Sequence, residues 1–319
     1  DQLLIGAEIV GFKNENDISM LIFNRTPFYV EAGGQIDDIG AFAIADKIFE
    51  IVDVVRIDNK VVHILKNEEH FKFQIGMEGL LSISEIRRWD IMRNHSATHF
   101  LHKALREIIG THVQQAGSYV GPDRLRFDFT HFSKLSLDEL TQIESTVNEQ
   151  IRKNLPLSHH RDTPFEEAKK MGALMFFGDK YGDKVNVVQF GDYTMEFCGG
   201  THVRNSSEIG LFKILNESSI ASGVRRIEAV TGAGVEKYIQ SQAEQLKLSE
   251  HKIEELHDVK KKLEKEISEL KIKEKLEQLD HILLLSSEEK NITIHKGKVH
   301  ADNMDELKSF GDEMRNRIK

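Results

Sequence analysis

The sequence has little cysteine, no excess of positive charge and no long apolar run. A single thiol, Cys198, among 319 residues excludes an intrachain disulfide framework. With no second cysteine, CxxC zinc ribbons and thioredoxin-like redox chemistry are excluded as well, and a reducing compartment is the simpler expectation. No stretch approaches the roughly 18 apolar residues that cross a bilayer, and the opening Asp1-Gln2-Leu3-Leu4-Ile5 lacks the basic start of a signal peptide. Both absences point to a cytoplasmic protein with no membrane partner. Lys and Arg number 43 against 52 Asp and Glu, a net charge of −9. RNA binding must therefore rest on a confined basic surface with strong salt dependence. There is no initiator Met, and the first residues already look strand-like, as in a piece cut from something longer. The length suggests two or three domains.

What is present changes character along the chain. From Leu3 to about Trp89, apolar and β-branched runs (Ile18 to Phe23, Phe42 to Val55, Val61 to Leu65) alternate with turn signals such as Asp58-Asn59, the pattern of a small β-barrel or sandwich. From Asp90, residues Ile91, His95, Thr98, His99, His102 and Leu105 recur at helical spacing until Gly110. Strand signals follow at Leu125 to Phe129, Val185 to Phe190 and Leu211 to Leu215. A helix opens at Ser136 with Asp138-Glu139 in its first turn. The middle of the chain is therefore α+β.

Between Gly234 and Asp280 there is no proline, and 18 of the 31 residues from 250 to 280 are charged. Leu246, Ile253, Leu256, Leu263, Ile267 and Leu270 fall near heptad spacing, so a long helix or helical hairpin with a coiled-coil seam is expected. After it, Ile282 to Leu285 and Ile292 to His295 read as strands and Met304 to Ile318 as a helix, too little to bury a core alone. The expected parts are thus 1–89, 90–235, 236–280 and 281–319, the last an incomplete α/β domain.

The chemistry concentrates in two short runs. His95 and His99, four apart on a helix, present both imidazoles on one face. In Cys198-Gly199-Gly200-Thr201-His202 the only thiol precedes another histidine by four residues, with glycines that permit a tight backbone path. Three imidazoles and one thiolate form a donor set suited to Zn²⁺. Taken singly, each pair also fits a buried helix face or a structural cysteine. Four protein ligands alone make a closed structural site, whereas catalysis needs a displaceable ligand. Ser96 and Ala97 stand where HExxH would need its glutamate, which disfavours a metalloprotease, and the HxE with PCxxC of nucleobase deaminases is missing.

Several blocks resemble the alanyl-tRNA synthetase family. The editing domain of that family is resembled by His95-Ser96-Ala97-Thr98-His99 with Leu101-His102, by Gly110 to Ser118 (GTHVQQAGS), and by Leu125-Arg126-Phe127-Asp128-Phe129. Further on, Glu196 to His202 (EFCGGTH) and Gly223 to Ala229 (GVRRIEA) match it in the same order. Upstream, Arg25-Thr26-Pro27-Phe28-Tyr29 and Glu31-Ala32-Gly33-Gly34-Gln35 resemble the β-barrel that precedes it. The resemblance covers nearly the whole chain. It implies an α+β protein: a β-barrel, a zinc-dependent editing domain and long helices leading into a partial carboxyl-terminal domain.

The activity it implies is hydrolysis of the ester in tRNA(Ala) mischarged with serine or glycine. A pocket sized for alanine cannot exclude glycine by sterics, and rejects serine by only about a hundredfold, so a second sieve is needed. On this resemblance one zinc is held by His95, His99, Cys198 and His202. Thr98 meets the serine hydroxyl, and Gln115 positions water or the ester. Arg225 or Arg226, in an apparent loop after Gly223, meets a phosphate or is a solvated surface charge. Gly33-Gly34 either approaches the acceptor strand or forms a hairpin turn. ATP and Mg²⁺ belong to an adenylate-forming core, of which no pattern appears here. The coiled-coil segment and the partial domain after Asp280 resemble the start of the carboxyl-terminal region that helps such synthetases dimerise and grip tRNA, which implies a homodimer through that region. Acid should release zinc and activity together. The alternatives are a freestanding alanyl-tRNA editing protein, a threonyl-tRNA synthetase editing domain, whose motifs fit less well, and a non-catalytic RNA-binding or dimerisation module pinned by zinc.

Overall fold

Alternating burial along the first six strands closes a barrel. The computed structural model describes residues 2–175 and 182–318, in two compact units, Asp1–Gln240 and Ser241–Lys319. Strands β1 (Leu4–Glu15), β2 (Ile18–Phe23), β3 (Gly40–Ile44), β4 (Lys47–Ile57), β5 (Lys60–Lys66) and β6 (Glu78–Ile83) pair in the order β1-β2-β5-β4-β3-β6. Each strand gives the centre one fully buried apolar side chain: Ile9, Leu21, Phe42, Ile51, Leu65 and Leu81. That inward set at period two is what a small barrel requires. Asp58 and Asn59 both take positive φ, 47° and 63°, as a two-residue turn matched to strand twist demands. The run Phe42 to Val55 is not one strand. Ala45, at φ 54°, turns the chain between β3 and β4, a break that no Gly, Pro or Asn announces.

Helix α1 (Glu85–Ile108) starts five residues before the expected Asp90. Ser84 occupies its N-cap position, and Glu85 lies favourably in its first turn. Every residue from Asn94 to His102 is buried, so this helix is covered all round and is the axis of the unit. Around it lie β7 (Gln115–Val120), β8 (Leu125–Thr130), α2 (Leu137–Arg152), β9 (Leu157–Pro164), α3 (Phe165–Lys170), β10 (Lys184–Phe190), β11 (Thr194–Phe197), β12 (Phe212–Ala221) and β13 (Val224–Thr231). They form a three-stranded sheet, β11-β10-β9, and a four-stranded sheet, β12-β13-β8-β7. Phe100, Leu101, Phe127, Phe129, Phe190 and Ile227 join helix and sheets in one core. The helix expected to open at Ser136 does so through a capping box: its hydroxyl accepts from the Glu139 amide while the Glu139 carboxylate accepts from the Ser136 amide.

Helix α4 (Ala233–Leu284) is one uninterrupted helix of 52 residues, which decides between helix and hairpin. It includes Ile282, so the strand expected at Ile282 to Leu285 is not there; β14 (Ser286–Glu289) forms just beyond and pairs with β15 (Ile292–His295). The short apolar run fits either period, and burial of Leu279 and Ile282 belongs to the helical one. Helix α5 (Met304–Arg317) opens on Asn303, whose side chain accepts from two backbone amides. Its Phe310 is buried, with Lys275 over the ring. No helix among the described residues is long and apolar enough to cross a membrane.

Candidate metal centre

Consecutive turns of α1 bring His95 and His99 to one side, and the segment after β11 brings Cys198 and His202 against them. The donor atoms of all four lie within 4.8 Å of one another. Cys198 Sγ is 3.3 Å from His95 Nε2 and 3.2 Å from His202 Nε2. The Cys198 amide donates to Asn186 O on β10 at 2.9 Å, which fixes the turn-in of the chain. Gly200 is required where it stands, because a Cβ there would lie 2.1 Å from His95 Cε1.

Each imidazole is held by its far nitrogen. His95 Nδ1 meets Gln35 Oε1 at 2.7 Å, His99 Nδ1 meets Glu196 Oε2 at 2.5 Å, and His202 Nδ1 lies 3.2 Å from Ser96 Oγ. The other oxygen of Glu196 takes His102 Nδ1 at 2.9 Å. Among the described residues, His99 Nε2 is buried with no hydrogen-bond partner. Histidines held at Nδ1 by oxygen, with Nε2 turned inward, are the arrangement in which imidazoles ligate a metal. A buried nitrogen otherwise left unsatisfied is what a cation would satisfy, so the residues fit zinc.

The electrostatics suit ligation directly at Cys198 and His202, whereas Glu196 and Cys198 favour a proton on His99 that a bound cation would have to displace. Burial raises the pKa of the Cys198 thiol, but the imidazoles of His95, His202 and His99 outweigh it and hold the thiol well below its ordinary range, the state a metal ligand needs. Burial pushes His202 down to about 3, overcoming the pull of Cys198, so its imidazole is neutral. Burial also lowers His99, yet Glu196 and Cys198 prevail and raise it to about 10. Burial raises the Glu196 carboxyl, but His102 and His99 bring it down to about 2.

The cluster forms part of the wall of a cavity of about 790 Å³ where the barrel meets the α+β domain. His95, His99, Cys198, Thr98, Gln115, Gly33 and Gly34 all line it. Thr98 donates its hydroxyl hydrogen to Asn94 O at 2.9 Å, so its oxygen retains acceptor capacity. Gln115 begins β7 at a bulge, where the register to β8 shifts before Gly117, a device that re-aims side chains beside functional sites. Gly34, at φ +83°, passes so close to β7 that a Cβ would lie 2.3 Å from Ser118 Oγ.

Arg225 and Arg226 do not line the cavity. They are on strand β13, not in a loop, with both residues paired to β8 on one side and β12 on the other. Arg225 Nε donates to Glu217 Oε1 at 2.5 Å, and Arg226 makes two bonds to the Asp128 carboxylate at 2.6 and 2.8 Å. Gln35, Ser96 and Glu196 had drawn no role from sequence. Glu196 could have been found, since a carboxylate two residues before the ligating thiol, at the end of the strand that leads to it, is placed to hold the far nitrogen of a ligating histidine. Gln35 has no local signal.

Two family profiles match parts of this fold and site, and both belong to tRNA synthetases. Residues 2–86 match the profile described as tRNA synthetases class II (A), and residues 185–228 match that described as threonyl and alanyl tRNA synthetase second additional domain. Whole-chain similarity narrows this. The chain is 39% identical to an alanine–tRNA ligase of Chlorobaculum tepidum over 100% of its length, 41% identical to that of Acetivibrio thermocellus over 98%, and 42% identical to that of Fervidobacterium nodosum over 100%. It spans 38%, 36% and 38% of those proteins respectively. The chain belongs to the alanyl-tRNA synthetase family.

Proposed function

We propose that this chain is an editing module that hydrolyses the ester joining serine or glycine to the 3′-terminal adenosine of tRNA(Ala). The observation that carries the reading is that His95, His99 and Cys198, three of the four clustered donors, line one cavity together with Thr98 and Gln115, while His202 completes the cluster behind the wall. Zinc held by the four ligands would supply positive charge to orient and polarise the substrate. The Thr98 oxygen accepts a hydrogen bond from a serine hydroxyl, an interaction that alanine cannot make. The Gln115 amide orients the ester or the attacking water at the cavity wall. Water adds to the ester carbonyl, the bond to the ribose oxygen breaks, and the amino acid leaves as its carboxylate. In the whole protein, a further core attaches alanine to tRNA(Ala) with ATP and Mg²⁺. The exposed seam of α4, from Leu246 to Leu270, is the part we assign to self-association.

A second reading is favoured by the count of donors. Four protein ligands already complete a tetrahedral shell, which is the form of a structural site. One experiment separates the two: zinc content measured beside the rates of deacylation of seryl- and alanyl-tRNA(Ala). About one zinc per chain with selective seryl hydrolysis is expected. Zinc with no hydrolysis, in a chain that binds tRNA, would leave the metal structural.

A further inference from the structure

The group that holds His95 comes from the barrel. Gln35 lies between β2 and β3, is fully buried, and stands 60 residues before His95 in sequence. Its Oε1 lies 2.7 Å from His95 Nδ1 and accepts from the Thr201 amide at 2.9 Å, while its Nε2 donates to Thr201 Oγ1 at 3.0 Å. A backbone N–H can only donate, so the Thr201 amide fixes which end of the Gln35 side chain is oxygen. An amide oxygen can only accept, so the hydrogen of His95 must reside on Nδ1. The lone pair is then on Nε2, 3.3 Å from Cys198 Sγ. His99 and His202 take their orienting contacts from Glu196 and Ser96, within the α+β domain. The loop bearing Gln35 is itself tied to β7: Ile36 donates to Val120 O at 3.1 Å, and the Val120 amide to Gly34 O at 2.7 Å.

We propose that Gln35 is a positioning residue for the zinc centre: through one side-chain oxygen it fixes the tautomer and angle of His95 and ties the Thr201 backbone of the cysteine–histidine segment to it. The metal affinity of the editing site is thereby set partly by the barrel. This rests on the reading of the four-residue cluster as a zinc site.

The test uses the full chain and zinc affinity read by competition with a chromophoric chelator. Gln35→Met keeps the length of the side chain and removes the acceptor; zinc binding should weaken about 10- to 100-fold. Gln35→Glu restores an acceptor for both donors and should bind zinc nearly as wild type does. A Gln35→Met protein that melts earlier yet binds zinc with wild-type affinity would show a packing role alone and overturn the proposal. Wild-type protein that takes up no zinc would overturn the zinc reading and this inference with it. Should Gln35→Met not fold, long-range ¹H–¹⁵N spectra of the zinc-loaded wild type decide. A hydrogen on His95 Nδ1 supports the assignment, and Nδ1 bound to the metal overturns it.

Discussion

Arg88 on α1 and Asp38 in the barrel loop form an ion pair whose side chains are 3% and 1% exposed. The guanidinium also donates to Pro27 O at 3.0 Å, and the carboxylate accepts from the Tyr29 amide at 2.7 Å. The pair clamps the barrel onto the helix that carries His95 and His99. Removing one partner leaves a buried charge uncompensated, so Arg88→Met should cost about 3 to 5 kcal/mol. Urea unfolding of the variant measures it, and a change below about 1 kcal/mol, the range of exposed pairs, would mean that the pair is not desolvated.

The contact of Gly200 with His95 gives a prediction about metal. Gly200→Ala adds a Cβ at 2.1 Å from His95 Cε1 and 2.8 Å from Gln35 Oε1, so the imidazole has to move. Zinc affinity should fall at least about tenfold, equivalent to about 1.4 kcal/mol. Circular dichroism of the variant should stay near wild type, because no positive φ is required at this position. Unchanged zinc affinity in a chelator titration would contradict the packing.

The pH dependence of barrel stability follows from His63. Its ring is fully buried, edge-on to Phe23 and Phe28, with Thr26 Oγ1 at 2.7 Å and Leu21 O at 3.3 Å. Burial lowers its pKa to about 4 despite the Leu21 carbonyl. The unfolded chain takes up a proton near pH 6.5 and the folded one does not until about 4. Stability is therefore intact above pH 6.5 and falls as pH drops toward 4, by on the order of 3 kcal/mol for this group alone. Denaturant midpoints across that range should show the slope in wild type and a shallower one in His63→Gln. Equal slopes would assign the effect to other groups.

Thr98 separates serine handling from metal binding. Thr98→Val keeps the shape and loses the hydroxyl, together with its bond to Asn94 O. Under the proposed function, seryl-tRNA(Ala) hydrolysis drops roughly 10- to 100-fold, the worth of a hydrogen bond in a desolvated site. Glycyl-tRNA(Ala) hydrolysis and zinc content should hold. Equal loss on both substrates would make Thr98 structural.

The sequence by itself determined the local periods and the donor set. The apolar runs of β2 and β5, the turn at Asp58-Asn59, the 3.6-residue recurrence through His95 and His99, the helix start at Ser136 and the helical character of the charged stretch after Gly234 all act between near neighbours, so each is written within a few residues. The pairing of His95-His99 with Cys198-His202 was legible because few residue types suit zinc. Tertiary structure alone decided the rest. Whether Arg225 and Arg226 are free depended on Asp128 and Glu217, which strand pairing sets beside them. Ile282 was claimed by a helix because its apolar run satisfies either period until packing chooses. Gln35 reaches His95 only because a closed barrel sets its loop against β7 and α1, a hydrogen bond across 60 residues of chain that no local pattern can encode.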